Sequence, residues 1–293
     1  MNVTLRQMRI FEATARLERL SQAANEQAIS QPAASQALKE MERSLGYPLF
    51  ERRGRHLLLS SEGEQILSRV RQILELTQQL TQPATGSVMG VMHLAASITI
   101  ASYLAPSLIA RFKHVHPQAD IKLSIENTSQ VLSSVAKGRA LLGLIEGPAM
   151  HSELLITPWQ TDQLVVFSAP EHPLAQLRKP SFKKLLQYPW VVRESGSGTR
   201  SILDAELQRL GVKINIAQAL NRQEAIKQSV IAGLGVGCLS HLAIARELAS
   251  GQLVQLPTPL NLERRFSWVL APERQEQPML KAFIELCTRS SPQ

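Results

Sequence analysis

Two patterns of hydrophobic and polar positions divide the chain. Up to Gln82, hydrophobic residues recur at spacings of three and four, which predicts helices almost throughout, with one interruption between Tyr47 and Ser60. A linker of small residues, 83–87, follows. Beyond it, short stretches typical of strands, such as 164–167, take turns with stretches of helical spacing, such as 99–114. This alternation predicts α/β units with covered sheets, and roughly 200 residues of it are enough for two small lobes.

The first 60 residues predict three short helices and a hairpin. We expect Ser21 to cap the second helix, and Ser30 to cap a third helix that carries Pro32 in its first turn and ends near Ser44. A tight turn over 27–30 between these helices indicates a helix-turn-helix. The next stretch has a glycine between arginines, which is typical of a β-hairpin and therefore of a wing.

Polar residues of the third helix and arginines of the hairpin are the candidates for contacting DNA. Glutamine pairs with adenine through two hydrogen bonds, and serine and lysine reach bases or phosphates. Arginines of a wing lie along the phosphate backbone or in the minor groove. A solvated helix face and a solvated basic turn are the alternatives. The candidates are Ser30, Gln31, Pro32, Ser35, Gln36, Lys39, Arg52, Arg53 and Arg55.

A long helix is predicted over 61–82. The residues Ile66, Val70, Ile73, Thr77 and Leu80 follow at spacings of four, three, four and three, which is the heptad seam of a coiled coil. The alternatives are a dimerisation helix and a helix that packs on its own domain. Because the helix lies between a small module and a linker, we favour the dimerisation helix.

Three segments of the α/β part share one design, in which a strand ends, hydroxyl or amide residues follow, and a helix begins. They are 97–99, 127–129 and 195–199. Free N–H groups and the positive end of the helix dipole favour an anion at such places. Each serine or threonine alone is more typical of a helix cap. Three such segments in a two-lobed domain nevertheless favour a ligand site.

Two further side chains belong to this prediction. Arg200 stands in a first helical turn, where the dipole disfavours a cation, so its partner is either a ligand or Glu194 or Asp204. Gln223 faces the cleft or forms part of a capping box with Asn221. The candidate effector residues are therefore Ser97, Thr99, Asn127, Thr128, Ser129, Ser195, Ser197, Thr199, Arg200 and Gln223.

Composition changes this picture little. The chain has 293 residues and a net charge of +8, but residues 1–62 hold nine Lys and Arg against seven Asp and Glu. Charge alone is therefore weak evidence for a nucleic-acid partner. No signal peptide or membrane-spanning stretch is recognisable, so we expect a cytoplasmic protein without a membrane partner. Cys238 and Cys287 fit no metal spacing and are expected to be free thiols.

An enzyme and a solute-binding transport protein are the rival classes. None of the seven histidines has a metal-binding spacing such as His-Glu-x-x-His, and no serine lies in a Gly-x-Ser-x-Gly elbow. Residues 88–293 alone would suit a solute-binding protein, but the N-terminal module argues against one. We expect a DNA-binding protein that is not an enzyme and needs no cofactor or metal.

A longer motif carries a family resemblance. Residues 30–42, Ser-Gln-Pro-Ala-Ala-Ser-Gln-Ala-Leu-Lys-Glu-Met-Glu, continued by 45–52, Leu-Gly-Tyr-Pro-Leu-Phe-Glu-Arg, strongly resemble the LysR-type transcriptional regulators. Length, linker helix and α/β remainder extend the resemblance to the whole chain. Two departures concern DNA contacts. Glu-Arg-Leu-Ser at 18–21 replaces the usual Gly-Ser-Phe-Thr, and Gln36 stands where a basic residue is common.

Within that family the chain looks most like the branch associated with sulfite and cysteine metabolism. The residues behind this hypothesis are Ser-Ile-Thr-Ile at 97–100, Ile-Glu-Gly-Pro at 145–148, Pro-Trp at 158–159, and 193–200. Glu146 joins the candidate effector residues on this ground. Regulators of carbon fixation share these residues, so a small carboxylate or a phosphorylated metabolite is the alternative to sulfite or sulfate.

The resemblance also implies an architecture. The implied parts are a winged helix-turn-helix at 1–60, a dimerisation helix and hinge at 61–87, and a two-lobed effector domain like a periplasmic binding protein at 88–293, with lobe I at about 88–161 and 263–293 and lobe II at about 162–262. The chain would cross between lobes near Thr161 and Leu262. A homodimer or homotetramer on double-stranded DNA is implied, and RNA polymerase is left open as a partner. In this hypothesis a small oxyanion closes the lobes and changes the spacing of the DNA-binding modules.

Overall fold

The structure is a computed structural model and describes residues 3–53, 56–80, 88–177 and 180–289. The chain divides into two compact units, which we call the N-terminal and the C-terminal unit. They comprise Met1–Ser87 with Ala136–Arg139, and Val88–Val135 with Ala140–Gln293. Among the described residues, no helix is both long and apolar enough to cross a lipid bilayer. The predicted linker at 83–87 lies outside the described residues.

Three short helices open the N-terminal unit: α1 (Leu5–Leu17), α2 (Leu20–Glu26) and α3 (Gln31–Leu45). α1 begins with a capping box in which Thr4 and Gln7 each bond the other's backbone N–H. α3 begins as predicted, because Ser30 Oγ accepts a first-turn N–H at 3.4 Å and Pro32 lies in that turn. It ends at Gly46, whose φ of 86° is a left-handed conformation that suits glycine.

The start of α2 differs from the prediction. Arg19 occupies the N-cap position without a side-chain cap, and Ser21 lies exposed inside the first turn, so the predicted Ser21 cap is wrong. The reason is the backbone of Glu18, whose φ of 55° ends α1 and turns the chain so that α2 starts at Leu20. The turn between α2 and α3 contains a second left-handed residue, Ala28, with a φ of 52°.

An antiparallel hairpin follows the three helices. It consists of β1 (Phe50–Arg53) and β2 (His56–Leu59), with Phe50 opposite Leu59. Its predicted tip at 54–55 lies outside the described residues. Phe50 stacks edge to face on Phe11 of α1, with ring centroids 5.5 Å apart, so the hairpin is anchored on the helices.

The long helix α4 (Ser61–Leu80) has two different halves. Leu67 and Val70 are 6% and 4% exposed and belong to the core of their own unit. Ile73 and Leu76 are 40% and 53% exposed. Val70, in the first half of the predicted heptad seam, therefore packs on its own domain, whereas Ile73, in the second half, is open to a partner helix.

The C-terminal unit alternates strands and helices along the chain. Its strands are β3 (Gly90–Ser97), β4 (Ala119–Glu126), β5 (Leu142–Glu146), β6 (Leu155–Ser168), β7 (Pro189–Arg193), β8 (Asn215–Leu220), β9 (Val236–Ser240), β10 (Val254–Leu256) and β11 (Glu263–Leu270). Its helices are α5 (Ile98–Tyr103), α6 (Ala105–Val115), α7 (Thr128–Ala136), α8 (Phe182–Leu185), α9 (Gly198–Arg209), α10 (Gln223–Ile231), α11 (His241–Ala249), a 3₁₀ turn (Pro272–Arg274) and α12 (Pro278–Arg289).

These strands follow the order β4-β3-β5-β11-β6-β9-β7-β8, and β10 pairs with β6. β3 is parallel to β4 and β5, and β7 is parallel to β8 and β9. β6 and β11 are antiparallel to each other, from Leu155 opposite Leu270 to Gln163 opposite Glu263. They connect a first lobe (β3–β5, α5–α7 and α12) with a second lobe (β7–β10 and α8–α11).

Each lobe has its own hydrophobic core. Phe112, Leu144 and Phe283 are among the buried residues of the first lobe. The second lobe has a cluster around Trp190 and another around Ile226. Neighbouring residues of β6 enter different clusters, because successive side chains of a strand point to opposite faces. The sheet of the second lobe is thus covered on both faces, as predicted.

Three elements differ from the sequence-based prediction. The spacing over 99–114 predicts a single helix, but the structure breaks it at Leu104 into α5 and α6, because Pro106 has no N–H with which to continue the hydrogen bonds of the first helix. β6 begins at Leu155 rather than at Leu164. Its first half was not predicted because it contains Pro158 and a bulge, and proline is unusual inside a strand. α11 and β10 were not predicted.

Candidate DNA-binding surface and effector site

The polar face of α3 points away from the core of the N-terminal unit, whereas Ala34, Leu38 and Met41 are buried. Gln31 and Lys39 make no side-chain hydrogen bond or ion pair with another described residue. The predicted DNA-contacting residues of this helix are exposed or partly exposed: Ser30, Gln31, Pro32, Ser35, Gln36 and Lys39. The surface that the prediction requires is therefore accessible.

Two of these side chains already have a bond within the chain. Ser30 caps α3, and Gln36 Nε2 donates to Glu40 Oε1 at 2.9 Å. In the hairpin, Arg52 is exposed and pairs across the strands with Leu57. The side chain of Arg53 and the whole of Arg55 lie outside the described residues. Of the predicted wing, the described residues therefore include the two strands and the exposed side chain of Arg52.

In the C-terminal unit, two threonines from opposite lobes meet on one buried arginine. Thr99 and Thr199 lie in the first turns of α5 and α9. Arg264, on β11, donates from Nη2 to Thr99 Oγ1 at 3.2 Å and from Nη1 to Thr199 Oγ1 at 2.8 Å. Its side chain is 0% exposed. The structure therefore brings two of the three predicted segments together around a guanidinium.

Two serines lie two residues before these threonines and are also fully buried. Ser97 and Ser197 occupy the N-cap positions of α5 and α9, yet neither side chain caps its helix. Neither Oγ atom has a hydrogen-bond partner among the described residues. A buried hydroxyl left unpaired costs roughly 1–3 kcal/mol, so such a group calls for an explanation such as a ligand or a water molecule. The capping alternative is therefore wrong for both serines.

Arg264 is paired with two carboxylates. Asp162 Oδ2, on β6, accepts from Nε at 2.7 Å and lies 2.6 Å from Nη2, while Asp162 Oδ1 accepts from Ser240 Oγ at 2.8 Å. Glu146 Oε2, at the end of β5, lies 2.7 Å from Nη2. The Glu146 side chain is 1% exposed. Removing one partner of such a buried pair typically costs about 3–5 kcal/mol, so this cluster fixes the junction of the lobes.

Gln223 reaches the same cluster from a third direction. It begins α10 in the second lobe, and its Nε2 donates to Thr99 Oγ1 at 2.9 Å. The alternative capping box with Asn221 is not formed, because Arg222 is the N-cap and no side chain caps this helix. Gln223 therefore faces the cleft, which was the other alternative.

The middle segment forms a separate contact between the lobes. Asn127 Nδ2 donates to Glu194 Oε1 of the second lobe at 3.3 Å, whereas Thr128 Oγ1 donates within the first lobe to the Glu146 backbone oxygen at 3.0 Å. Burial alone would raise the pKa of Glu194. Hydrogen bonds from the buried Arg193 and the charge of its guanidinium outweigh burial, so this pKa lies below its ordinary value.

Three predicted effector residues lie apart from the Arg264 cluster. The side chains of Ser129 and Ser195 are exposed and make no hydrogen bond with a described residue. Arg200 forms an ion pair with Asp204, with Nε 2.7 Å from Oδ1. Asp204 is thus the one of the two predicted carboxylate partners that Arg200 contacts, and a role of Arg200 toward a ligand stays a prediction.

Arg264 and Asp162, which hold the cluster together, are not among the residues predicted from the sequence. A signal was present in β11, where every second residue from Leu262 to Leu270 is apolar except Arg264. Because alternate residues of a strand share one face, this pattern places a cation on the buried face. All five alternate positions are buried, with Arg264 at 2% exposed. Asp162 has no comparable signal.

An open cavity of ≈ 570 Å³ lies beside this cluster. Its lining includes Glu263, Arg265 and Ser267 of β11, with Gly147 and Ile202. Arg264 also belongs to the lining, although its side chain is fully buried, and the three other β11 residues alternate with it along the strand. Neither unpaired serine hydroxyl lines the cavity. The unpaired hydroxyls of Ser97 and Ser197 therefore lie outside the lining of this cavity.

An exposed recognition-type helix beside a hairpin, followed by two lobes with buried polar groups at their junction, defines a DNA-binding protein with a ligand-binding domain. Residues 5–64 match the family model of the bacterial regulatory helix-turn-helix protein, lysR family. Residues 85–292 match the LysR substrate binding domain. The chain belongs to the LysR family of transcriptional regulators, which confirms the resemblance and the fold class.

Known relatives agree with this assignment. The chain is 37% identical to the HTH-type transcriptional regulator YeiE of Escherichia coli K12, over 98% of both chains. It superposes on a full-length OxyR variant from Pseudomonas aeruginosa with a TM-score of 0.77, over 99% of both chains at 21% identity. The regulatory domain of Synechocystis CcmR, in complex with 2-PG, is 25% identical, with a TM-score of 0.63 over 69% of this chain and 97% of that chain.

Proposed function

We propose that this regulator is controlled by a small oxyanion bound between its two lobes, with sulfite or a related sulfur oxyanion as the first candidate. One observation carries the proposal. The hydroxyls of Ser97 and Ser197 are buried and unpaired, two residues before the threonines that meet on Arg264. Hydroxyl donors, a guanidinium and the N-terminus of the 12-residue helix α9 all favour an anion.

The proposed effector is small because the two lobes approach each other closely. A Cβ atom added to Gly198 in the second lobe would overlap the Glu146 backbone oxygen in the first. A Cβ added to Gly147 would lie 3.1 Å from Gly198 Cα. The complex of CcmR with 2-PG supports a small metabolite, a carboxylate or a phosphorylated compound, as the alternative effector.

The proposed DNA contacts come from α3 and the wing. Gln31, Ser35 and Lys39 lie on the exposed face of α3, which in this proposal enters the major groove, and Arg52 lies near the phosphates. Exposed Ile73 and Leu76 in the second half of α4 support a homodimer or a homotetramer that forms through that helix. The proposal places the regulator in the cytoplasm with the chromosome and leaves RNA polymerase as a further partner.

Calorimetry on two serine variants tests the effector site. Ser197→Ala removes an unpaired buried hydroxyl, so we expect sulfite affinity to fall about tenfold while the free energy of unfolding stays equal or rises by about 1 kcal/mol. Ser201→Ala, one turn further along α9, removes a hydroxyl already bonded to the Ser197 carbonyl and should leave affinity unchanged. Wild-type protein that binds neither sulfite, sulfate nor small carboxylates at millimolar concentration, or that turns one over, contradicts the proposal.

A gel-shift titration with the upstream region of the chain's own gene tests the DNA contacts. Arg52→Ala should weaken binding to all duplexes and reduce the slope of log K against log salt by about 1, since one phosphate contact is lost. Gln31→Ala should instead change which sequences are preferred. Glu51→Ala in the same strand is the control, because it removes no cation. Equal effects of the first two changes on every sequence would contradict these roles.

A further inference from the structure

The junction of the lobes holds more negative than positive charge. Glu146 and Asp162 are 1% and 3% exposed, and both are paired with the single guanidinium of Arg264. A buried cation matched by two carboxylates leaves one formal negative charge in a site that we propose for an anion. One of the two carboxylates therefore opposes the effector. The following inference rests on the proposed function.

The two carboxylates are held unequally. Both oxygens of Asp162 are engaged, one by Arg264 Nε and Nη2 and the other by the Ser240 hydroxyl. Glu146 Oε2 has only its ion pair with Nη2, at 2.7 Å, and no hydrogen bond of good geometry from any described group. Asp162 is thus the structural partner of Arg264, and Glu146 is the carboxylate that is easier to displace.

More oxygen atoms lie close to Nη2 of Arg264 than this atom can donate hydrogen bonds to. A guanidinium Nη atom carries two N–H groups. Three oxygens approach this one, from Asp162 at 2.6 Å, Glu146 at 2.7 Å and Thr99 at 3.2 Å. An oxyanion that reaches the neighbouring hydroxyls would add a fourth acceptor and a second negative charge beside Glu146. Like charges repel strongly where water is excluded, so the anion and Glu146 cannot both stay on Nη2.

We propose that Glu146 is a built-in competitor, a carboxylate that occupies the effector's place on Arg264 and is displaced when the oxyanion binds. An anion binds only if its hydrogen bonds with Arg264 and with the serine and threonine hydroxyls are stronger than those of the Glu146 carboxylate. The backbone of Glu146 lies between the lobes, where its oxygen accepts from Thr128 and lies against Gly198. Displacement of the Glu146 side chain therefore changes the contact between the lobes, and in this way effector binding is linked to lobe closure.

Glu146→Gln in the full-length protein tests this role, because glutamine keeps the size and removes the charge. Titration calorimetry should show sulfite and sulfate binding about tenfold or more tighter than in the wild type. Dimethyl sulfone, a neutral compound of similar shape, should show no such gain. Glu276→Gln removes an equal charge from a residue whose side chain is 78% exposed and should leave affinity unchanged. A purely structural role for Glu146 would give no gain selective for anions.

Each outcome separates this inference from the proposed function. If the wild type binds sulfite and Glu146→Gln binds it equally or more weakly, Glu146 is not a competitor, although the proposed function stands. If only Glu146→Gln binds an oxyanion, the competitor role is supported and the proposed effector class is wrong for the wild type. If neither protein binds one, both ideas fail. If Glu146→Gln does not fold, Glu146→Asp replaces it, because aspartate is one methylene shorter and moves the carboxylate away from Arg264. We expect a smaller gain in anion affinity from this variant. No gain in affinity contradicts the inference.

Discussion

Burial shifts the pKa of two cysteines and one histidine in the C-terminal unit. Burial raises the pKa of the Cys238 and Cys287 thiols to about 12, and both are free, as predicted. Burial lowers the pKa of His172 below 6.5. Its Nδ1 accepts the Leu174 N–H at 3.2 Å, and its ring lies edge to face on Tyr188, 4.6 Å between centroids. Neutral His172 is therefore part of the folded state.

A stability change with pH follows at this residue. Because the folded pKa of His172 is lower than the unfolded one, the unfolded state takes up more protons as pH falls through about 6.5, and the free energy of unfolding decreases. Asparagine can still accept the Leu174 N–H, so His172→Asn should lose less stability between pH 7.5 and about 5.5 in urea titrations. His151→Asn, at a partly exposed histidine that accepts the Glu153 N–H, should follow the wild type. Parallel curves for all three proteins would contradict this reasoning.

At the scale of elements, the start of α9 is pressed against the end of β5. Gly198 is buried, and a Cβ there would meet the Glu146 carbonyl and lie 2.9 Å from Thr128 Oγ1. The α9 turn can therefore reach the first lobe only because residue 198 has no side chain. Two of the three predicted segments share this contact, which the sequence pattern of each segment alone does not reveal.

Gly198→Ala is expected to force these elements apart. We expect it to destabilise the C-terminal unit by about 1–3 kcal/mol, as overpacking usually does, and to weaken effector binding. Gly251→Ala is the control, since a Cβ there meets nothing within 4 Å and costs only the strain of a φ of 74°. Thermal unfolding and calorimetry on both variants check this prediction. Unchanged effector affinity in Gly198→Ala would show that the close approach is not needed for binding.

At the scale of the whole molecule, the candidate DNA surface and the candidate effector site belong to different units. The polar face of α3 lies in the N-terminal unit, and the Arg264 cluster lies in the C-terminal unit. All three tryptophans of the chain lie in the C-terminal unit, with Trp159 stacked on Trp268 and Trp190 in the core of the second lobe. Their fluorescence therefore reports on the effector-binding unit alone.

An effector that binds only the folded C-terminal unit should stabilise that unit by linkage. At a sulfite concentration of 100 times Kd, the free energy of unfolding followed by tryptophan fluorescence should rise by about 2.7 kcal/mol. Leu38→Ala empties part of the N-terminal core and should destabilise that unit by about 2–5 kcal/mol. The fluorescence shift with sulfite should persist in this variant. Its loss would mean that the two units do not unfold independently.

Features that depend on near neighbours in the chain could be predicted from the amino-acid order. Hydrophobic spacing predicted α1, α3 and α4, Ser30 and Pro32 marked the start of α3, and the contiguous run 30–52 carried the family resemblance. Strand ends and helix starts around Thr99 and Thr199 were also readable, because capping and turn chemistry act over a few residues. Local rules were wrong at Ser21 and at 99–114, where a left-handed residue and a proline fixed the helix ends.

Which of these turns act together depends on the folded chain. Thr99, Thr199 and Arg264 are far apart in the sequence and become neighbours because β6 and β11 run side by side between the lobes. The same packing leaves the hydroxyls of Ser97 and Ser197 buried and unpaired. A hydroxyl at a helix start has the same local pattern whether it caps the helix or waits for a ligand. The difference lies in the surroundings of the hydroxyl, which are set by contacts such as those of Thr99 with Gln223 and Arg264, more than a hundred residues away in the sequence.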